Sequence, residues 1–157
     1  IAISHANPSA WHPTPRNKSE TVLRAVAESG GMLGLSLYPH HLEGGSACTL
    51  EAFGTMVART VDVMGIDHVG VGSDLCQGQA DGVVEWMRNG QWRRPPDLKA
   101  ADRPSWPEPL GWFASNRDIA NVAGGLAATG FAPEEVAKIL GGNWLNFFER
   151  SFGPATI

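Results

Sequence analysis

Four side chains in the first half of the chain could do chemistry together: His5, Arg16, Tyr38 and Asp74. An imidazole can bind a metal ion, a guanidinium can grip a carboxylate at two points, and a carboxylate can carry a proton. All except the arginine stand at the end of a short apolar run, as polar residues at strand ends do. Their joint chemistry therefore depends on whether the fold brings these strand ends together.

The run over residues 66–74 (IDHVGVGSD) is the clearest predicted strand. It is short, apolar and contains β-branched valines, which is typical of a strand buried between helices. Gly70 and Gly72 weaken a strand intrinsically, so they indicate that another backbone or a ligand packs close to it. The strand would present Asp74 at its carboxyl end, where parallel α/β folds hold their functional groups. The alternative is that Asp74 only caps the following loop.

Predicted strands and helices alternate up to Asp74. The predicted order is a strand over residues 1–4, a helix over 19–29, a strand over 32–38, a helix over 50–64 and the strand over 66–74. Ser19 and Thr49 are the predicted N-caps of the two helices. This alternation predicts an α/β fold with a parallel sheet wrapped by helices, which would place His5, Tyr38 and Asp74 at one edge.

The pattern changes between residues 75 and 112, where prolines forbid long regular elements apart from a short helix over 83–89. A loop of this length is usually functional, and its tryptophans favour an active-site lid over a solvated excursion. Beyond it, the spacing predicts helices over 116–128 and 133–140, followed by a last amphipathic turn that Asn143 caps.

Composition excludes several classes of function. The 157-residue chain carries a net charge of −4 without a basic stripe, which argues against a nucleic-acid partner. No apolar run reaches the roughly 18 residues that a membrane-spanning segment needs. Cys48 and Cys76 form no CxxC motif, and Cys76 is either an inhibitor-sensitive thiol or, as we expect, a small buried filler. The chain begins at Ile1 in an apparent strand, so we expect a fragment of a longer polypeptide.

Three sequence blocks, in this order, resemble the C-terminal half of the membrane (renal-type) dipeptidase family, the M19 metallopeptidases. The blocks are residues 3–7 (ISHAN) with Arg16-Asn17, residues 68–74 (HVGVGSD), and residues 142–144 (GNW) with Phe147-Phe148. The resemblance extends over nearly the whole chain, and the ordered combination is far more specific than any single block.

The resemblance implies a (β/α)₈ TIM-type barrel with a binuclear zinc site that hydrolyses dipeptides. By the resemblance, His5 is a ligand of the second zinc ion and Arg16 binds the terminal carboxylate of the substrate. Asp74 matches the aspartate beside the metal-bridging water, and Tyr38 matches a tyrosine that lines the substrate pocket. Such a site would cleave the peptide bond with a metal-bridged hydroxide.

The sequence also departs from the family pattern. The family usually has an aromatic residue, a second acid and Gly after its aspartate, whereas residues 74–78 read DLCQG, which affects the expected substrate preference. Most zinc ligands would lie upstream of Ile1, so the implied partners are a dipeptide, the N-terminal half of the barrel and, as one option, a second copy in a homodimer. Two alternatives are a catalytically inactive relative that binds peptides and a stand-alone α/β domain. For Arg16, the alternative is a surface residue without a function or a salt bridge to Glu20.

Overall fold

Three parallel strands form the centre of the fold, in the order β1 (Ala2–Ala6), β2 (Met32–Leu35) and β3 (Val69–Val71). The structure is a computed structural model and describes residues 1–90, 92 and 105–153. Helix α1 (Glu20–Glu28) connects β1 to β2, and helix α2 (Leu50–Met64) connects β2 to β3. Further helices are α3 (Asp81–Asn89), α4 (Ile119–Thr129), α5 (Pro133–Ala137) and α6 (Asn143–Phe152). The predicted mixed α/β architecture with a parallel sheet is confirmed.

Local sequence signals explain both connecting helices. Ser19 Oγ accepts a hydrogen bond from the backbone N–H of Val22 (3.4 Å), and Thr49 Oγ1 accepts one from that of Ala52 (3.1 Å). Both side chains are therefore N-caps, as predicted. The buried residues of α2 recur at helical spacing: Phe53, Gly54, Met56, Val57, Thr60 and Met64. This face joins one hydrophobic core with residues of strand β2, which is buried along its whole length.

Strand β2 is shorter than the predicted strand over residues 32–38, because it ends at Leu35. At the next residue, Ser36 N donates to Asn7 Oδ1 (3.0 Å) and Ser36 O accepts from Asn7 Nδ2 (3.0 Å). A side-chain amide therefore replaces a neighbouring strand as the backbone partner, and the ladder stops. The chain then turns through the short 3₁₀ segment Pro39–His41.

Strand β3 is also shorter than predicted, since Ile66–His68 forms a 3₁₀ turn and only Val69–Val71 is extended. The buried Asn143 side chain explains this boundary, because its Nδ2 donates to Ile66 O (2.7 Å) and to Val69 O (2.8 Å). The predicted N-cap role of Asn143 is wrong, since its side chain makes no capping bond to α6. Asn143 instead fastens the start of α6 to β3.

The two glycines of the β3 region are required by close packing, as predicted. A Cβ atom on Gly70 would lie 2.6 Å from Nε1 of Trp144, the second residue of α6. That indole also donates a hydrogen bond to Val71 O (3.0 Å). A Cβ atom on Gly72 would collide with the backbone carbonyl of Ser4 in β1. The absence of side chains here lets α6 and β1 approach the segment that leads to Asp74.

We expect the substitution Asn143→Ala to lower the free energy of unfolding by about 1–3 kcal/mol, because it leaves two backbone carbonyls without their donor. Urea denaturation measures the change. The matched control is Asn146→Ala, at an exposed position of the same helix, which should shift stability by less than about 0.5 kcal/mol. Equal effects of the two substitutions would show that the Asn143 bonds do not stabilise the fold.

The C-terminal helices follow the predicted positions with one change. Helix α5 ends at Ala137, three residues before the predicted end at residue 140, and a π-helical turn over Lys138–Gly142 leads to α6. The chain is kinked within that turn, since Gly141 has non-helical φ and ψ (169° and −27°), so the predicted break at Gly141-Gly142 is confirmed. In the part of the chain that the structure describes, no helix has both the length and the hydropathy to cross a membrane.

The segment predicted as a lid is described only in part. Helix α3 occupies Asp81–Asn89, two residues longer at its start than the predicted helix, while residues 91 and 93–104 lie outside the described residues. Trp106 returns to the start of α3, where its Nε1 donates to Ala80 O (3.2 Å) and its backbone N–H donates to Asp81 Oδ1 (3.3 Å). The described end of the segment is thus attached beside the loop that follows Asp74.

Candidate active site

His5 and Asp74 lie close together, although they follow different strands. His5 is on β1 and Asp74 follows β3, and the two strands flank β2 in a parallel sheet whose carboxyl ends lie at one edge. The distance from His5 Nε2 to Asp74 Oδ1 is 3.8 Å, and each side chain is 30% exposed. This separation is too long for a hydrogen bond, so both atoms are available to a third group.

The backbone of Asp74 has an uncommon conformation. Its φ of 52° makes it the one non-glycine residue with positive φ in the described ranges, and aspartate tolerates this left-handed region better than most residues. Such outliers cluster at functional sites. Within residues 1–90, 92 and 105–153, no hydrogen bond joins the Asp74 carboxylate to the following loop, so these contacts do not support the capping alternative.

His5 is oriented by its neighbour in the strand. Its Nδ1 is hydrogen-bonded to Ser4 Oγ (2.9 Å), which leaves Nε2 directed toward Asp74. When the hydrogen is on Nδ1 and is donated to the hydroxyl, Nε2 presents a lone pair. This is the usual arrangement of a histidine that binds a metal through one nitrogen and is fixed through the other.

Arg16 lies on a loop whose two ends are joined. Lys18 N donates to Asn7 O (2.9 Å) and Ser9 N donates to Lys18 O (2.8 Å), so the first and last residues of the loop over 8–18 are hydrogen-bonded to each other's backbone. The alternative of a salt bridge between Arg16 and Glu20 is wrong, because Glu20 pairs with Arg24 at 2.6 Å. Arg16 is exposed and makes no ion pair with another described residue.

A buried amide network attaches this loop to the turn after β2. Asn17 Nδ2 donates to His41 O (3.0 Å), and Asn7 Nδ2 donates to the same carbonyl (3.1 Å). The backbone N–H of Asn7 donates in turn to Asn17 Oδ1 (3.0 Å). Because Asn7 follows His5 by two residues and Asn17 follows Arg16 directly, the network fixes both candidate residues against the His41 turn.

His41 is a buried histidine, within electrostatic range of Asp74, Arg16 and His5, that the sequence analysis missed. Its ring is buried and its Nδ1 is hydrogen-bonded to Ser36 Oγ (2.8 Å). The pKa of His41 is lowered to about 4, mainly because the ring is buried; Asp74 opposes the shift, and the positive charges of Arg16, His5 and His40 add to it. His41 is therefore neutral at pH 7. The sequence shows two adjacent histidines, but only the fold distinguishes the buried His41 from the exposed His40.

A cavity of about 260 Å³ opens beside Asp74. Its walls include Tyr38, Cys76, Trp106, Leu110 and Phe113, so it is mostly apolar. Burial raises the pKa of the Tyr38 phenol, an effect that Arg88 opposes and that Cys76 and Asp74 reinforce. The expectation of a buried filler is wrong for Cys76, which is partly exposed in this wall.

The described residues fit one part of a metal site. They contain no group of three histidine, cysteine, aspartate or glutamate side chains arranged to hold a metal ion. A zinc ion usually takes four ligands, of which His5 Nε2, with its fixed ring, is a suitable donor. Any complete site would therefore need further ligands in addition to those described here.

Three solved structures with a similar fold are described as an amidohydrolase, a dipeptidase and a metallopeptidase. An amidohydrolase from Pseudomonas aeruginosa superimposes with a TM-score of 0.84 at 25% identity and is matched over 98% of this chain and 46% of its own. A dipeptidase described as an M19 metallopeptidase superimposes with a TM-score of 0.71 at 23% identity, and the match covers 97% of this chain and 38% of that protein. A metallopeptidase from Rhodobacter sphaeroides, liganded with a phosphinate mimic of the dipeptide L-Ala-D-Ala, superimposes with a TM-score of 0.70 at 22% identity. The match covers 96% of this chain and 36% of that protein.

The sequence profile of the membrane dipeptidase family (peptidase family M19) matches residues 1–91, which is more than half of the chain. The chain belongs to this family, and the predicted resemblance is confirmed. A curated relative from Klebsiella pneumoniae, described as an uncharacterized protein in the pqqA 5′ region, is 28% identical over 154 residues, which is 96% of this chain and 46% of that protein. The chain thus spans less than half the length of the proteins it matches.

Proposed function

We propose that this chain is the C-terminal half of a (β/α)₈ barrel and contributes the substrate-facing residues of a zinc-dependent dipeptidase. A barrel of this type needs about 250 residues. The three described parallel strands with their alternating helices would be three of its eight strands, and the chain covers 36–46% of the hydrolases with a similar fold. In this proposal the upstream half supplies the remaining strands and zinc ligands.

The observation that carries the proposal is the distance of 3.8 Å between His5 Nε2 and Asp74 Oδ1, together with the attachment of the Arg16 loop to the same region. A metal-binding imidazole, a proton-carrying carboxylate and a carboxylate-binding guanidinium are the groups that hydrolysis of a short peptide requires.

His5 would hold the metal through Nε2, with its ring oriented by Ser4. When bound, zinc supplies the Lewis acidity that polarises a carbonyl and lowers the pKa of water. Asp74 moves the proton: a carboxylate oxygen takes it from the attacking water and gives it to the nitrogen of the leaving amine. The carboxylate of Asp74 lies 3.8 Å from His5 Nε2 and makes no described hydrogen bond to its own loop, so it is available for this role.

Arg16 would set the length of the substrate. A guanidinium binds a carboxylate at two points, and the closed loop fixes its distance from the strand ends. The peptide bond adjacent to a C-terminal residue bound in this way is held in the reactive position. A site of this kind prefers dipeptides to long chains.

The experiment compares wild-type and Arg16→Ala forms of the full-length protein, the polypeptide that includes the proposed upstream half. We expect the substitution to raise KM for a dipeptide about tenfold to a hundredfold, with a small change in kcat, because a charge-assisted bond to the substrate is lost. A dipeptide with a C-terminal amide should be a poor substrate for both forms.

Arg24→Ala is the matched control, since Arg24 is an exposed arginine of α1 that pairs with Glu20, and its KM should equal that of wild type. An unchanged KM in Arg16→Ala would contradict the carboxylate-binding role. Tight binding of dipeptides by the wild type without turnover, even with added zinc, would support a catalytically inactive peptide-binding relative instead.

A further inference from the structure

His41 is the residue at which the parts of the candidate site meet. Its carbonyl accepts hydrogen bonds from Asn7 and Asn17, which follow His5 and Arg16 closely in the chain. Its ring lies against Tyr38, with 5.1 Å between the ring centroids. These contacts attach the backbone of His41 to the loop that carries Arg16 and place its ring beside Tyr38, in the turn after β2.

The hydrogen-bond network defines which nitrogen of His41 carries the hydrogen. Ser36 is fully buried, and its Oγ accepts a hydrogen bond from the backbone N–H of Tyr38 (3.2 Å). Among the described residues, the acceptor available to the hydroxyl hydrogen of Ser36 is His41 Nδ1, at 2.8 Å. Leaving a buried hydroxyl donor unpaired is costly, so Nδ1 accepts and the neutral ring carries its hydrogen on Nε2.

The Nε2–H group of His41 has no partner among the described residues. In the described part of the chain, every fully buried side-chain nitrogen or oxygen has a hydrogen-bond partner, so an unbonded Nε2 is not fully buried. This nitrogen is therefore in contact with solvent, although His41 as a whole is only 8% exposed. A buried ring with a single accessible donor is suited to binding an acceptor atom in a fixed position.

We propose that His41 is a substrate-binding residue whose Nε2–H donates a hydrogen bond to the terminal carboxylate of the dipeptide, beside Arg16. This inference rests on the proposed function. Arg16 supplies the charge and His41 supplies a directional neutral donor, so the carboxylate is held by two groups from two separate loops. Asn17, which follows Arg16, is bonded to the His41 carbonyl, so the backbone segments that carry the two donors are fastened to each other.

An uncharged His41 ring is suited to donating a hydrogen bond to the substrate carboxylate. The lowered pKa keeps His41 uncharged at pH 7, so its donor does not add a positive charge next to His5 and Arg16. A cationic imidazole in this place would repel a metal ion held by His5. A neutral donor binds the same carboxylate oxygen without that repulsion.

The test uses full-length His41→Phe and His41→Gln with a dipeptide substrate. We expect His41→Phe to raise KM about tenfold to a hundredfold with kcat within about threefold, because a hydrogen bond to a charged group is lost. Glutamine places an amide N–H near the position of Nε2, so His41→Gln should keep KM within about fivefold of wild type. Rescue by glutamine separates a binding role from a purely structural one.

Two further variants keep the test decisive. His40→Phe is the matched control, since His40 is exposed and adjacent, and its KM should not change. Ser36→Ala removes the bond that fixes the ring and should raise KM about threefold to tenfold, which tests the inference even if His41→Phe does not fold. Unchanged KM values in Ser36→Ala and in any folded His41→Phe protein would overturn the inference.

A binding measurement separates this inference from the proposed function. The probe is a phosphinate mimic of a dipeptide, titrated by calorimetry into each variant in the presence of zinc. Weakened binding in His41→Phe with rescue in His41→Gln would support the His41 role even if the wild type had no turnover. Turnover by the wild type with equal KM and equal probe affinity in all variants would reject His41 alone, and absence of both binding and turnover would reject both proposals.

Discussion

Replacing Asp74 by asparagine in the full-length protein is expected to lower kcat for dipeptide hydrolysis by about a hundredfold to ten-thousandfold, the usual contribution of a general acid–base. Asparagine is nearly isosteric with aspartate and also tolerates positive φ, so the backbone at this position should be kept. The amide cannot take a proton from water at pH 7. The loss should therefore fall on kcat, with KM nearly unchanged.

A matched variant completes this test. Asp62→Asn, at an exposed position of α2, should have wild-type kinetics. A reduction of kcat by less than about tenfold in Asp74→Asn would assign the proton transfer to another residue.

The substitution His5→Ala is expected to remove bound metal and to lower activity at least about a hundredfold. Loss of a residue that only orients a metal ligand typically costs tenfold to a hundredfold in affinity, so loss of a ligand should cost at least as much. Elemental analysis of the purified full-length variant and a dipeptide assay on the same sample measure both effects.

His12→Ala is the control for this substitution. His12 lies on the Arg16 loop, and its described hydrogen bond to the Asn17 side chain is made by its backbone carbonyl, so the ring can be removed without breaking that bond. Metal content and activity should stay at the wild-type level. Full metal content and activity in His5→Ala would instead mean that His5 is a structural histidine of the strand end.

Local patterns in the sequence were sufficient for much of the fold. The alternation of periodicities identified three strands and two connecting helices, and Ser19 and Thr49 marked the starts of the helices. The weakness of Gly70 and Gly72 as strand residues correctly indicated close packing by other atoms. Since parallel strands share one carboxyl edge, the proximity of His5 and Asp74 also followed from the alternation.

The ends of the strands could not be predicted in the same way, because distant side chains determine them. Ser36 is bonded to Asn7, which is 29 residues away, and Val69 is bonded to Asn143, which is 74 residues away. Local propensity contains no information on such partners. The burial of His41 and its bond to Ser36 depend on the same packing, so the pattern of two adjacent histidines did not identify it.

The metal content of the full-length wild-type protein, measured together with hydrolysis of a simple dipeptide, tests the dipeptidase proposal most directly. We expect about two zinc ions per chain, as in two-metal hydrolytic sites, and turnover that a chelator abolishes and zinc restores. A protein that holds no metal and hydrolyses no dipeptide, even after zinc is added, would contradict the dipeptidase proposal.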